Sequence, residues 1–202
     1  MKLKFYLSFF ILILISVTSF AKDDIVIKAA PVIGYGFCWL DASGSGGNTE
    51  VDAEGLTYGI DLSAGRVFSD KLTIGADLTY QVMDDPDVTF EGENIDDFDI
   101  QLNTLKFGPF IRYFFTKNFY FNFSFGFSSF WSSGGDDMMD TTAYGTTFNL
   151  GAGYDYWFTK EFGICLFADA VAHYTWAEED GVDFFIQSAY LPNIGIAGCY
   201  KF

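Results

Sequence analysis

The stretch FFTKNFYFNFSFGF, residues 114–127, decides the fold. Phe119, Phe121, Phe123, Phe125 and Phe127 take every second position, with Tyr120, Asn122, Ser124 and Gly126 between them. Extended backbone sends alternate side chains to opposite faces. The segment reads as a strand with a column of phenyl rings on one face and a small, polar opposite face.

Working outward, a short repeat brackets this strand. Phe115-Thr116-Lys117-Asn118-Phe119 matches Phe68-Ser69-Asp70-Lys71-Leu72 and Phe158-Thr159-Lys160-Glu161-Phe162. Each is a polar turn clasped by bulky apolar residues, as in a tight hairpin. Four longer polar stretches lie between the turns: Asp41 to Glu54, Asp84 to Asp99, Ser132 to Ala143, and Ala177 to Asp183. Alternating short turns and long loops predict eight antiparallel strands in an up-and-down meander, at residues 25–40, 55–68, 72–83, 100–115, 119–131, 144–158, 162–176 and 185–202. A hairpin within the second loop, at Val88-Thr89-Phe90, would raise the number to ten. The same alternation recurs from strand to strand. Leu56, Tyr58, Ile60 and Leu62 oppose Thr57, Gly59, Asp61 and Ser63; Phe148, Leu150 and Tyr154 oppose Asn149, Gly151 and Asp155. The apolar phase slips at 100–106, the signature of a bulge.

Volume decides which face points out. Eight strands enclose a lumen just wide enough for filling side chains or one small ligand. The large residues of all eight apolar faces exceed that space, whereas Gly, Ser, Thr, Asn and Asp fit it. The apolar face therefore meets lipid and the polar face lines the interior. A closed barrel is also the all-β way to satisfy backbone groups in hydrocarbon. Aromatics gather at both strand ends, at Tyr113, Phe119, Tyr156 and Phe162 on the turn side, and at Trp39, Tyr58, Tyr80, Trp131, Trp176 and Tyr190 on the loop side. They read as two interfacial girdles. Arg66 is an outward charge near the turn end, within reach of headgroups.

Composition agrees. Aromatic residues make up 20% of the 202-residue chain, with 21 glycines and 4 prolines. Residues 1–21 read as a signal peptide: Lys2 and Lys4 precede an apolar Phe5 to Val17, and Ser19-Phe20-Ala21 supplies small residues at the cleavage positions. The barrel domain then covers 22–202. No later apolar run reaches the ~18 residues of a spanning helix. Cleavage removes two lysines and takes the formal charge from −16 to −18. So acidic a chain is a poor match for nucleic acid.

The chain stops on Tyr200-Lys201-Phe202. A last strand ending on an aromatic, with another two residues before it, resembles the C-terminal assembly signal of bacterial outer-membrane barrels, carried here by Tyr200 and Phe202. Ala197 stands where that pattern prefers glycine. With its leader, eight strands, short turns and long loops, residues 25–202 resemble the small OmpA/OmpX-type barrels, a porin-family-like set within the outer-membrane β-barrel domain family. The resemblance implies the outer membrane of a Gram-negative bacterium. It implies outer-membrane lipid, lipopolysaccharide and the barrel-assembly machinery as partners. It allows adhesion or envelope-integrity roles. No cofactor is expected.

Charges in the inward phase are Lys28, Asp61, Asp77, Lys106, Arg112, Asp155, Asp169 and Lys201. Unpaired charges in a narrow interior are costly, so these are expected to pair. They form either a plug or the lining of a narrow ion path. Of the 27 acids, 19 lie in the four long loops. Short turns are periplasmic in such barrels, which makes the acidic rim extracellular. Its carboxylates suit divalent cations or an extracellular partner. They show no EF-hand spacing, and no defined metal site is assigned. His173 is the only histidine, near Thr175, Glu178 and Glu179. It resembles the His, hydroxyl and Glu set of outer-membrane lipid A deacylases, but with Thr for Ser and an inward phase. With Phe162 opposite Phe202, Cys165 falls opposite Cys199, either bridged or as two packed thiols. Cys38 is left over.

The reading is a structural or surface-interaction barrel with a largely plugged polar lumen and no catalytic residue. A narrow passive cation-favouring pore is the alternative, and a lipid-modifying enzyme carried on His173 is a third class.

Overall fold

The computed structural model describes residues 25–44, 47–91, 93–95, 100–133, 142–179 and 182–202. All regular structure among them is strand. Eight long strands form the wall: β1 (Ile25–Gly44), β2 (Gly47–Ser69), β3 (Leu72–Asp84), β6 (Gln101–Phe114), β7 (Phe119–Ser133), β8 (Ala143–Trp157), β9 (Phe162–Glu179) and β10 (Val182–Lys201). Two short strands, β4 (Asp87–Phe90) and β5 (Glu93–Ile95), form a hairpin in the second loop. Each long strand pairs antiparallel with its neighbour in the wall, and β1 pairs with both β10 and β2. The sheet is thereby closed into an eight-stranded barrel. The β4–β5 hairpin does not widen it to ten. Instead β4 takes over the edge of β2 above β3, with Val51 opposite Phe90 and Glu54 opposite Asp87.

The phenyl column points out. Phe119, Phe121, Phe123, Phe125 and Phe127 are 40–60% exposed, while Tyr120, Asn122 and Ser124 are buried. The other strands agree, with Leu56, Ile60, Leu150 and Leu166 outside and Thr57, Ser63, Asn149 and Cys165 inside. Tyr190 departs from its expected place. It is 1% exposed and points into the lumen, where its hydroxyl donates to Thr104 Oγ1 at 3.1 Å. A register shift between Tyr190 and Asn193 accompanies its inward placement. Tyr80 and Trp131 stack outside at 6.1 Å, and Arg66 lies over the Phe68 ring at 5.2 Å.

The repeated turns share a device that sequence reading passed over, a hydroxyl at their second residue. Thr116 Oγ1 accepts from the Phe119 amide at 3.0 Å and Thr159 Oγ1 from the Phe162 amide at 2.9 Å. Ser69 Oγ accepts from the Lys71 amide at 3.3 Å. Such side chains close tight turns on their own backbone.

Two expectations are corrected at the loop end. Asp41 to Glu54 is not a long loop, because β1 and β2 run on in register to Gly44 opposite Gly47. Ala177 to Asp183 likewise belongs mostly to β9 and β10. The reason is a reversal of pattern. Above the girdle, Asp41, Glu50, Asp52 and Glu54 take the outward positions, while Val51 and Ala53 turn inward. Water replaces lipid outside at this level, so the strand continues with its polarity inverted. The same reversal explains 100–106. β6 pairs with β3 without a register shift, so no bulge exists there. Leu102 is simply an apolar residue facing inward.

A lipid-facing belt makes substitutions depth-dependent. Phe123→Arg, opposite Leu150 in mid-strand, is expected to destabilise the barrel by about 2–4 kcal/mol, and Phe119→Arg at the turn-side girdle by about 0–1 kcal/mol. Urea unfolding in lipid vesicles measures both; equal losses would refute the assigned membrane level.

Candidate functional site: the polar lumen

The inward residues meet in three tiers. Nearest the turns, Lys28 Nζ on β1 donates to Asp155 Oδ1 on β8 at 2.5 Å, reaching across the lumen. Arg112 stacks its guanidinium on the rings of Tyr120 at 4.6 Å and Phe110 at 4.8 Å. The Tyr120 hydroxyl lies 2.9 Å from the Cys165 sulfur. Gly153 leaves the space that Tyr120 fills, since a Cβ there would collide with the phenol. In the middle tier Lys106 Nζ donates to Asp77 Oδ2 at 2.9 Å. Thr79 Oγ1 donates to Asp61 Oδ2 at 2.7 Å, and Asn149 Nδ2 to Asp169 Oδ2 at 3.3 Å. Above these, Gln81 on β3 donates to Asn193 on β10 at 3.0 Å.

Seven of the eight expected lumen charges are thus assembled inside the barrel wall. Lys28, Asp77, Lys106, Arg112 and Asp155 are buried; Asp61 and Asp169 are half-buried. Lys201 instead lines the turn-side mouth with Lys71, Lys117 and Asp155. Between the tiers, a cavity of about 20 Å³ is bordered by Lys28, Asp61, Asp77, Arg112, Asn122 and Asp169. That is room for roughly one water molecule. Of the bonds made by these charges, Lys28 to Asp155 spans non-adjacent strands, whereas Lys106–Asp77, Thr79–Asp61 and Asn149–Asp169 each join neighbours in the wall.

His173 is 2% exposed and its ring meets Tyr190 edge-on at 5.3 Å. It lies in the lumen, away from lipid. Thr175 donates to the Ile186 carbonyl at 3.3 Å, and Glu178 is exposed beyond it. The three do not form a nucleophile–base arrangement.

The cysteine register differs from expectation. Phe162 pairs with Tyr200, so Cys165 lies opposite Ala197, and Cys199 opposite Gly163. The ladder is offset by two residues. Cys165 and Cys199 are diagonal neighbours, and all three cysteines are free thiols. At the C-terminus, the Tyr200 ring packs on Phe162 at 4.8 Å and Phe202 at 4.6 Å, and the Phe202 amide donates to the Ile25 carbonyl at 2.9 Å. The terminal aromatics sit at the seam where the barrel closes.

Of the loop acids, Asp41, Glu50, Asp52, Glu54, Asp84, Asp85, Asp87, Glu91, Glu93, Glu178 and Asp183 are exposed. Asp96, Asp97, Asp99, Asp136, Asp137, Asp140 and Asp180, together with the signal segment 1–21, lie outside the described residues. Among the described residues no three acids, histidines or cysteines converge as metal ligands.

No protein-family model matches the chain. No curated protein sequence matches it either. Solved structures do. The outer membrane protein OprG from Pseudomonas aeruginosa aligns over 89% of this chain and 96% of its own, with a TM-score of 0.50 and 14% identity. Neisserial surface protein A aligns over 88% and 97%, at 0.47 and 16%. Ail of Yersinia pestis aligns over 86% and 98%, at 0.40 and 12%. At these identities the likeness is one of fold. Closed ladder and outward apolar belt make the chain an eight-stranded transmembrane β-barrel of the outer-membrane type.

The middle tier rests on the complementary charges of Lys106 and Asp77. Lys106→Met strands the Asp77 carboxylate and is expected to cost about 3–5 kcal/mol, whereas Lys106→Met with Asp77→Leu recovers most of the loss. A double-mutant cycle by urea unfolding in lipid reads the difference; an additive cycle would show that the pair is not coupled.

Proposed function

We propose that this protein is a closed outer-membrane anchor with a structural or surface-interaction role, held by lipid on its belt and acting through the strand extensions and loops above it. The observation that carries the reading is a plug of polar side chains, in which the Lys28–Asp155 pair crosses the lumen, the Lys106–Asp77 pair joins the neighbouring strands β6 and β3, and the cavity between the tiers has room for about one water. Conduction needs a continuous wet path, and the packing between tiers favours closure over a pore. The exposed acids above the girdle support contact with divalent cations or an extracellular partner. The lipid belt supports contact with outer-membrane lipid and lipopolysaccharide. The aromatic seam at Tyr200 and Phe202 supports delivery by the barrel-assembly machinery. No catalytic role is assigned to His173, whose burial in the lumen favours a packing role.

The reading is tested by conductance of the refolded mature chain in a planar bilayer under a salt gradient. A barrel verified as folded is expected to stay silent. Stable cation-selective steps would overturn closure in favour of a narrow pore.

A further inference from the structure

The interior changes character toward the loops. Below, the cavity between the polar tiers measures about 20 Å³. Above it the barrel encloses a cavity of about 270 Å³. Its walls are apolar: Leu40 from β1, Val51 from β2, Val88 from β4, Leu102 from β6, and Phe184 and Ile186 from β10. Among the described residues no charged side chain lines it, and the polar side chains on its wall are those of Thr49, Ser132 and Cys38. Tyr190 and Met83, both 1% exposed, are packed among the same buried residues.

Packing alone does not account for this space. Protein interiors leave few voids larger than a water molecule. Here small residues, Ala42, Ala53 and Thr49, face the cavity and leave it open. Nor does the lining suit a water-filled mouth, since an enclosed water needs 2–4 polar partners. An apolar cavity of about 150 Å³ stays dry and accepts benzene. This one is larger and has room for more than a single ring. The wall is hydrogen-bonded from β10 through β1 and β2 to β4. It stands above the outward switch from Trp39 to Asp41, beyond the lipid level. The outward acids Asp41, Glu50 and Asp52 surround it with negative charge, which disfavours an anionic ligand such as a free fatty acid.

We propose that this chamber is a binding site for a small, uncharged, apolar molecule, of about two fused rings or a comparable short chain, entering from the extracellular side. Strand β4 is part of the site, because Val88 supplies wall where β3 has ended.

Radiolabelled naphthalene serves as the probe, in equilibrium dialysis against nanodiscs carrying the mature barrel and against empty nanodiscs of the same lipid. Bilayer partitioning then cancels. The expected result is a saturable excess of about one naphthalene per barrel. Ala53→Phe and, nearer the mouth, Ala42→Phe fill the chamber and are expected to weaken that binding at least tenfold. Heat-modifiable gel mobility checks the fold of each variant, and the half-buried Ala42 position tolerates bulk if Ala53 does not. Equal retention by loaded and empty discs would overturn the proposal. So would undiminished binding in a folded filled variant, or one tightly held lipid per barrel that excludes naphthalene.

Discussion

Hydrocarbon offers no partner to a peptide N–H or C=O, and the rest of this structure follows from that constraint. A strand in lipid must be paired on both edges. With eight strands the pairing is completed when β1 meets β10, and the ladder there runs from Val26 opposite Lys201 to Ser43 opposite Asp183. Closure then fixes the size of the interior. A lumen of this width holds side chains and little else, so most inward residues are small. The inward charges are held by ion pairs, by polar neighbours such as Thr79 and Asn149, or, for Arg112, by the rings of Tyr120 and Phe110. The outward residues carry the bulk because lipid sets no limit on their volume.

The interior solves two different problems along one axis. At membrane depth the plug makes direct bonds across the lumen, from Lys28 to Asp155 and from Gln81 to Asn193. Such bonds tie non-adjacent strands together and resist collapse or slippage of the wall. Above the membrane the outer surface meets water and turns acidic, and the inner surface turns apolar. The extended β1–β2 and β9–β10 hairpins therefore resemble a small soluble barrel set on top of a membrane barrel. The interior chemistry changes at Tyr190, whose ring meets His173 on one side and whose hydroxyl is held by Thr104.

Much of this was legible in the chain. The Phe119–Phe127 column, the matched turns and the inward charges each reflect a period-2 pattern within one strand, readable from that strand alone. The acidic rim is similarly local. What escaped reading was the upper chamber. Leu40, Val51 and Leu102 sit in segments whose outward neighbours are acidic or polar, so the pattern that marks a membrane strand is inverted there. In Asp41 to Glu54 it read as a loop, and at 100–106 as a phase error.

The sequence by itself left the wall at eight strands or ten, and determined the alternation, the aromatic belt and the acidity of the loop-side rim. These are properties of single strands and their solvents. Only the tertiary structure decided which inward groups meet. It set Phe162 opposite Tyr200 and so Cys165 opposite Ala197, turned Tyr190 inward, paired Lys106 with Asp77, and left a chamber above the plug. Those outcomes depend on the register at which eight strands close on one another. Register is a non-local quantity, and a shift of two residues changes every partner while leaving each strand's inside and outside unchanged.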